Sequence, residues 1–196
     1  MFEKGDFMRL LLHACCAPCS VYCVDTLRGE GIEPTIFWYN PNIHPYMEYR
    51  SRRESLREYC ELMNLDCIFD DFYGLDDFCK NVDGKLNSRC VDYCYPVRLR
   101  RLFEYASSHG YDSVSSTLLY SIYQKHDVIK KYMEDLSLEF GVDFVYRDFR
   151  VGFREGQTKA RELGLYMQKY CGCVFSEEDR YKEKIEKDKK RYGVLN

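Results

Sequence analysis

A chain of 196 residues that is 45% hydrophobic and 31% charged carries enough apolar material for one folded domain with a sizeable core. Its 29 lysines and arginines against 32 aspartates and glutamates leave a net charge of −3, which excludes a globally basic nucleic-acid binder and leaves only local basic patches to consider. Eleven cysteines are an odd number and too dilute for a small disulfide scaffold. The opening MFEKGDFMRLLLHACC holds no secretory core, and no run approaches the ~20 apolar residues of a membrane span. These features predict a cytoplasmic protein without a membrane segment, in a reducing compartment where clustered thiols do metal or redox chemistry.

In chain order, Met8 to His13 is a short apolar run followed by small residues and a proline, the pattern of a buried strand that turns into a helix over about Cys19 to Arg28. Gly29 and Gly31 end that helix, and Pro34 to Tyr39 (PTIFWY), β-branched and aromatic, is a second strand. Asn40 to Pro45 (NPNIHP) reads as a loop, Tyr46 to Met63 as a helix and Asp66 to Phe69 as a third strand. Arg89 to Ser107 is a long helix with an apolar stripe of Leu99, Leu102, Phe103 and Ala106. Ser113 to Thr117 and Val142 to Tyr146 are further strands around a helix over about Gln124 to Phe140, and Ser176 with Glu177 and Glu178 starts a charged C-terminal helix. With no repeat and no linker, residues 1–196 read as a single catalytic domain: a mainly parallel sheet with helices on both faces, its ligands gathered at the carboxyl ends of the strands.

The cysteines fall into constellations. His13-Ala14-Cys15-Cys16-Ala17-Pro18-Cys19 places adjacent thiols at a strand end facing a helix N-terminus, whose dipole and free N–H groups favour thiolate. Cys15 and Cys16 read as ligands or nucleophiles, whereas Cys19 and Cys23, four apart on a helix, are equally readable as packing. Cys90-Val91-Asp92-Tyr93-Cys94 puts two sulfurs on one helix face between Arg89 and Arg98, where a plain amphipathic stripe would favour leucine. Cys171-Gly172-Cys173 is too close-spaced for a stabilising disulfide and reads either as a reducible pair or as two unremarkable loop thiols. Cys60, Cys67 and Cys79 stand alone and are assigned to the core. Two pairs converging from different elements give four sulfur ligands, for zinc or an iron–sulfur cluster, and a neighbouring redox-capable pair favours iron.

The segments LLLHACCAPCS (10–20), YNPNIHP (39–45), RCVDYCYPVRL (89–99) and QKYCGC (168–173) resemble the iron–sulfur epoxyqueuosine reductases called QueH. That resemblance implies a three-layer Rossmann-like fold related to the PP-loop and HUP proteins, with an added C-terminal helix. It implies the last step of queuosine biosynthesis, the two-electron reduction of epoxyqueuosine to queuosine at the wobble position of tRNA. It further implies a 4Fe-4S cluster on Cys15, Cys16, Cys90 and Cys94, a catalytic redox-active disulfide between Cys171 and Cys173, and an additional mononuclear iron, for which His13 and Cys19 are candidates by proximity. An electron donor is required and is unidentified. The spacing departs from the family at one point, C-x3-C at Cys90 and Cys94 where C-x2-C is usual.

For a tRNA partner the sequence offers Arg50, Arg52, Arg53 and Arg57 on one helix, and Arg98, Arg100 and Arg101 on another. The C-terminal run Arg180 to Arg191 holds seven basic and three acidic residues and reads as solvated surface. Trp38, Tyr39 and Tyr46 are candidates for stacking on a base or for the core. The main rival reading is a thioredoxin-like thiol–disulfide oxidoreductase using Cys16 and Cys19 in a C-x-P-C turn. A nucleotide-dependent PP-loop enzyme lacks its glycine–serine phosphate cradle here, and a structural zinc protein leaves the terminal pair without a role.

Overall fold

The computed structural model describes residues 8–193. Five strands form one sheet in the order β3-β2-β1-β4-β5, all neighbours parallel: β1 (Leu10–His13), β2 (Pro34–Trp38), β3 (Cys67–Phe69), β4 (Ser113–Ser116) and β5 (Asp143–Phe144). The central strand β1 is buried at every position, which is why Leu10, Leu11 and Leu12 run without polar alternation. Helix α1 (Ala17–Gly29) packs against α2 (Tyr46–Met63) on one side of the sheet, and α4 (Tyr95–Ser108) packs against α5 (His126–Phe140) on the other. Helix α6 (Phe153–Glu162) closes onto α1. That approach requires Gly152 and Gly156: a Cβ on Gly152 would lie 2.0 Å from the Tyr22 ring of α1, and one on Gly156 would lie 3.0 Å from Tyr22 Cβ and 2.6 Å from the Tyr120 hydroxyl. Helix α7 (Val174–Tyr192) ends the described chain and buries none of its residues.

The expected order of strands and long helices is present, with two short helices in addition, α3 (Leu75–Val82) and α6. The long helix expected from Arg89 is divided. Cys90–Cys94 is a π-helical turn, and α4 begins at Tyr95, with Pro96 in its first turn. Proline has no N–H to give to the carbonyl four residues back, and its ring crowds that carbonyl. The ladder therefore widens, and the Tyr95 N–H bonds the Cys90 carbonyl five residues back.

Of the three cysteines assigned to the core, Cys60 is buried whereas Cys67 and Cys79 are exposed. Cys67 begins the short edge strand β3, and the buried face of α3 is made by Phe78 and Val82, which leaves Cys79 outward. Trp38 is fully buried, and its indole N–H donates to the Tyr49 hydroxyl at 3.2 Å, so it belongs to the core. Tyr46 is exposed, and Tyr39 is partly buried and stacks on Phe72.

Candidate metal centre

Strands β1 and β4 are neighbours, and the chain leaves their carboxyl ends toward opposite edges of the sheet, which opens a crevice between them. Into this crevice β1 delivers Ala14, Cys15 and Cys16. The Ala14 N–H donates to the Phe37 carbonyl at 2.9 Å, and the Asn40 side-chain amide donates to the Ala14 carbonyl at 2.9 Å. The Cys15 N–H donates to the Thr117 hydroxyl at 3.2 Å, just beyond β4. Cys16 has extended backbone and caps α1, whose first turn contains Pro18, a position where a missing N–H costs nothing.

Cys19 lies in that same first turn, so the sulfurs of Cys15, Cys16 and Cys19 come within 4.8 Å of one another. The Gln168 side-chain amide donates to Cys16 Sγ at 3.0 Å and to Cys19 Sγ at 3.6 Å. Hydrogen bonds from Cys16 and Cys19, aided by the Thr117 hydroxyl, hold the Cys15 thiol well below its ordinary pKa. Burial pushes Cys16 up, and Cys19 is raised by its bonds to the two neighbouring sulfurs. Three soft sulfur donors converging without a carboxylate suit iron–sulfur or zinc and do not suit a hard cation.

Cys90 and Cys94 lie outside this triad and form a second sulfur pair on the π-turn. A hydrogen bond from Cys94 lowers the Cys90 pKa to about 6 against the cost of burial, with help from the charges of Arg98, Arg89 and Lys125; Cys94 is correspondingly raised. In the metal-free reduced protein, the alkylation rate of Cys90 is expected to rise as pH passes about 6 and to level off above it, because only the thiolate reacts. Mass-spectrometric mapping after a brief iodoacetamide pulse measures this, and a midpoint near the ordinary thiol value of ~8.5 would contradict it.

The third segment is held down tightly by elements far away in sequence. Arg52, only 1% exposed, pairs with Glu48 at 2.7 Å and donates to the carbonyls of Cys171 at 2.8 Å and Tyr170 at 2.9 Å. The His44 N–H donates to the Gly172 carbonyl at 2.7 Å, and the Tyr170 hydroxyl donates to the His44 carbonyl at 2.8 Å. A Cβ on Gly172 would come within 3.2 Å of Ile43, so the NPNIHP loop and the CGC segment fit closely. Both thiols are free. Cys171 accepts a hydrogen bond from the Gln124 side chain at 3.3 Å, while Cys173 is buried beside Cys94, Phe78 and Tyr93. Desolvation holds the Cys171 thiol above its ordinary pKa, so it keeps its proton at neutral pH.

His13, a candidate by proximity, is committed elsewhere. Its Nδ1 meets the Ser116 hydroxyl at 3.0 Å and its Nε2 faces the Tyr39 carbonyl at 3.4 Å, and burial with the Arg98 charge lowers its pKa to about 4. Cys23 is core, with its thiol donating to the Cys19 carbonyl.

The family model described as Epoxyqueuosine reductase QueH matches residues 10–179. An epoxyqueuosine reductase QueH from Dehalococcoides mccartyi is 39% identical over 173 residues, 88% of this chain and 94% of the relative. Another, from Thermotoga maritima, is 32% identical over 93% of this chain and 97% of its own length. The chain belongs to the QueH family.

Two solved structures show the same fold. The U34-tRNA thiolase NcsA from Methanococcus maripaludis, with its [4Fe-4S] cluster, superposes with a TM-score of 0.59 at 16% identity, covering 94% of this chain and 68% of that one. A predicted subunit of a tRNA methyltransferase from Methanocaldococcus jannaschii superposes at 0.50 with 12% identity, over 79% of this chain and 74% of that one. The cysteine segments of this QueH member therefore stand on an α/β scaffold shared with those two proteins.

Most arginines of the two helices are engaged, whereas Arg50 is exposed and makes no ion pair among the described residues. Arg52 is buried, Arg53 pairs with Glu54 and Asp71, Arg57 lies 4.7 Å over Phe69, Arg100 pairs with Glu139 and Arg101 with Asp70. No described helix is long and apolar enough to cross a membrane.

Proposed function

We propose that this chain reduces epoxyqueuosine to queuosine in tRNA, in the cytoplasm, with an iron–sulfur cluster seated at the carboxyl edge of the sheet. The observation that carries the metal reading is the Cys15–Cys16–Cys19 triad, three sulfurs within 4.8 Å at the switch point of the sheet in a member of the QueH family. The [4Fe-4S] cluster of NcsA on the same fold supports it. We assign Cys15, Cys16 and Cys19 as the thiolates that hold a 4Fe-4S cluster, with a fourth from the Cys90/Cys94 pair, and the remaining thiol of that pair as a donor to an additional iron.

The reaction breaks both C–O bonds of the epoxide, forms a C=C bond, and consumes two electrons and two protons to release the oxygen as water. A bound cluster supplies electrons one at a time. The dithiol of Cys171 and Cys173 holds two electrons and two protons, matching that demand, and returns to the dithiol with electrons from an external one-electron donor. Cys171 is on the exposed side of the segment, so it is the thiol that meets substrate. Gln124 orients that sulfur, and the Tyr95 hydroxyl fixes Gln124 by donating to its carbonyl oxygen at 2.8 Å. For the tRNA, α7 carries Arg180, Lys184, Lys187 and Arg191 at helical spacing, with no ion pair among the described residues, directly after Cys173.

The test is anaerobic purification with iron and sulfide analysis, followed by single turnover on tRNA carrying epoxyqueuosine. Cys171→Ser and Cys173→Ser are each expected to abolish turnover and leave the cluster absorbance in place. Unchanged turnover removes the pair from the reaction, and a colourless, inactive wild type overturns the whole reading. A thioredoxin-like role for Cys16 and Cys19 is disfavoured because it leaves Cys15, which completes the triad, and the Cys90/Cys94 and Cys171/Cys173 pairs without a role.

A further inference from the structure

Arg98 sits one turn after Cys94 on α4 and is 3% exposed. Its Nε donates to the Cys94 carbonyl at 2.7 Å. Its two terminal amino groups make no hydrogen bond and no ion pair with any described residue, and its guanidinium carbon lies 5.9 Å from the centre of the Tyr95 ring. The other buried arginine, Arg52, is the opposite case: its three donor nitrogens meet Glu48 and two backbone carbonyls. A guanidinium withdrawn from water without a counter-ion is costly, and the cost is offset only where an anion meets it.

Arg98 stands on the same helical run as Cys90 and Cys94, eight and four residues beyond them. No described carboxylate pairs with its guanidinium, so the groups beside it able to carry negative charge are the sulfurs of that pair.

Resting on the iron–sulfur reading above, we propose that Arg98 is the fixed counter-cation of the metal site, its two free amino groups facing the negative charge of the thiolate-held cluster. One electron from the external donor makes that charge more negative by one, and a fixed cation alongside favours the reduced form, so Arg98 raises the reduction potential.

Wild type, Arg98→Met and Arg98→Lys, each loaded anaerobically with iron and sulfide, are compared by potentiometric titration of the cluster. The Met variant is expected to shift to a more negative potential and the Lys variant to stay near wild type. Metal-free Arg98→Met is expected to melt no lower than metal-free wild type, because the single bond lost, to the Cys94 carbonyl, is offset by removal of a buried cation without a counter-ion. A Met variant with the wild-type potential overturns the proposal; if its kcat alone has fallen, the anion served is the substrate's oxygen instead. Should the Met variant hold no cluster, the Lys variant decides: retention at the wild-type potential supports the counter-cation, and loss of cluster or a potential shifted away from wild type overturns it. A colourless wild type overturns the metal reading and this proposal together, a result distinct from all the others.

Discussion

Replacing Cys19 with serine is expected to strip most of the iron and sulfide from the anaerobically purified protein. The triad is the one place in the described chain where three soft donors already stand within 4.8 Å. Serine at the first turn of α1 would offer a hard hydroxyl that stays protonated at neutral pH in the place of a thiolate. Turnover should fall by more than the ~10–100-fold that accompanies loss of an outer partner of a ligand, because a ligand itself is removed. Cys23→Ser provides the contrast. Cys23 lies one turn further on, buried in the core with its thiol turned to the Cys19 carbonyl, so its replacement should lower stability and leave the iron content unchanged. Iron and sulfide assays with the visible spectrum decide the matter, and full loading of Cys19→Ser would exclude Cys19 as a ligand.

Arg52→Met is expected to lower stability by about 3–5 kcal/mol, because it leaves Glu48, 8% exposed, as a buried carboxylate without its cation. Two carbonyl contacts to Tyr170 and Cys171 vanish in the same step. Urea unfolding of the metal-free protein measures the loss, and limited proteolysis should find faster cleavage around residues 166–173. The double variant Glu48→Gln with Arg52→Met should recover part of the stability, since the stranded charge is gone, while the proteolytic site stays open. A single variant within about 1 kcal/mol of wild type would mean that Glu48 finds water or another donor.

The parallel sheet was legible because its central strands are uninterrupted apolar runs, and Tyr46–Met63 was legible to the residue because its polar and apolar positions alternate at helical period. Helices α3 and α6 were not, being short and burying only two residues each, with Gly156 inside the second. The π-turn had a visible signal in Pro96, whose missing N–H disturbs a helix begun at Arg89. Cys15 and Cys16 stood out because no packing stripe calls for two small thiols beside a proline turn. Cys19 remained undecided, since a cysteine three residues on in a helix serves equally as packing, and only the backbone of the β1–α1 turn brings its sulfur to the other two. Arg52 was read as a member of an exposed basic face, and Arg98 both as a member of one and as positive charge beside the Cys90 and Cys94 thiolates. What turns Arg52 inward is Glu48 on its own helix together with carbonyls arriving from residues 118 and 119 positions away, which no local pattern announces.

Gln168 lies across Cys16 and Cys19, and these two sulfur-bearing residues keep only 1% and 6% of their surface. A metal cluster seated on these thiols, as proposed, would need that cover moved aside. Doing so means undocking the strip from Tyr166 to Cys173, whose latch is the Arg52 guanidinium on the carbonyls of Tyr170 and Cys171. On that reading, loading the site and docking the strip are linked steps.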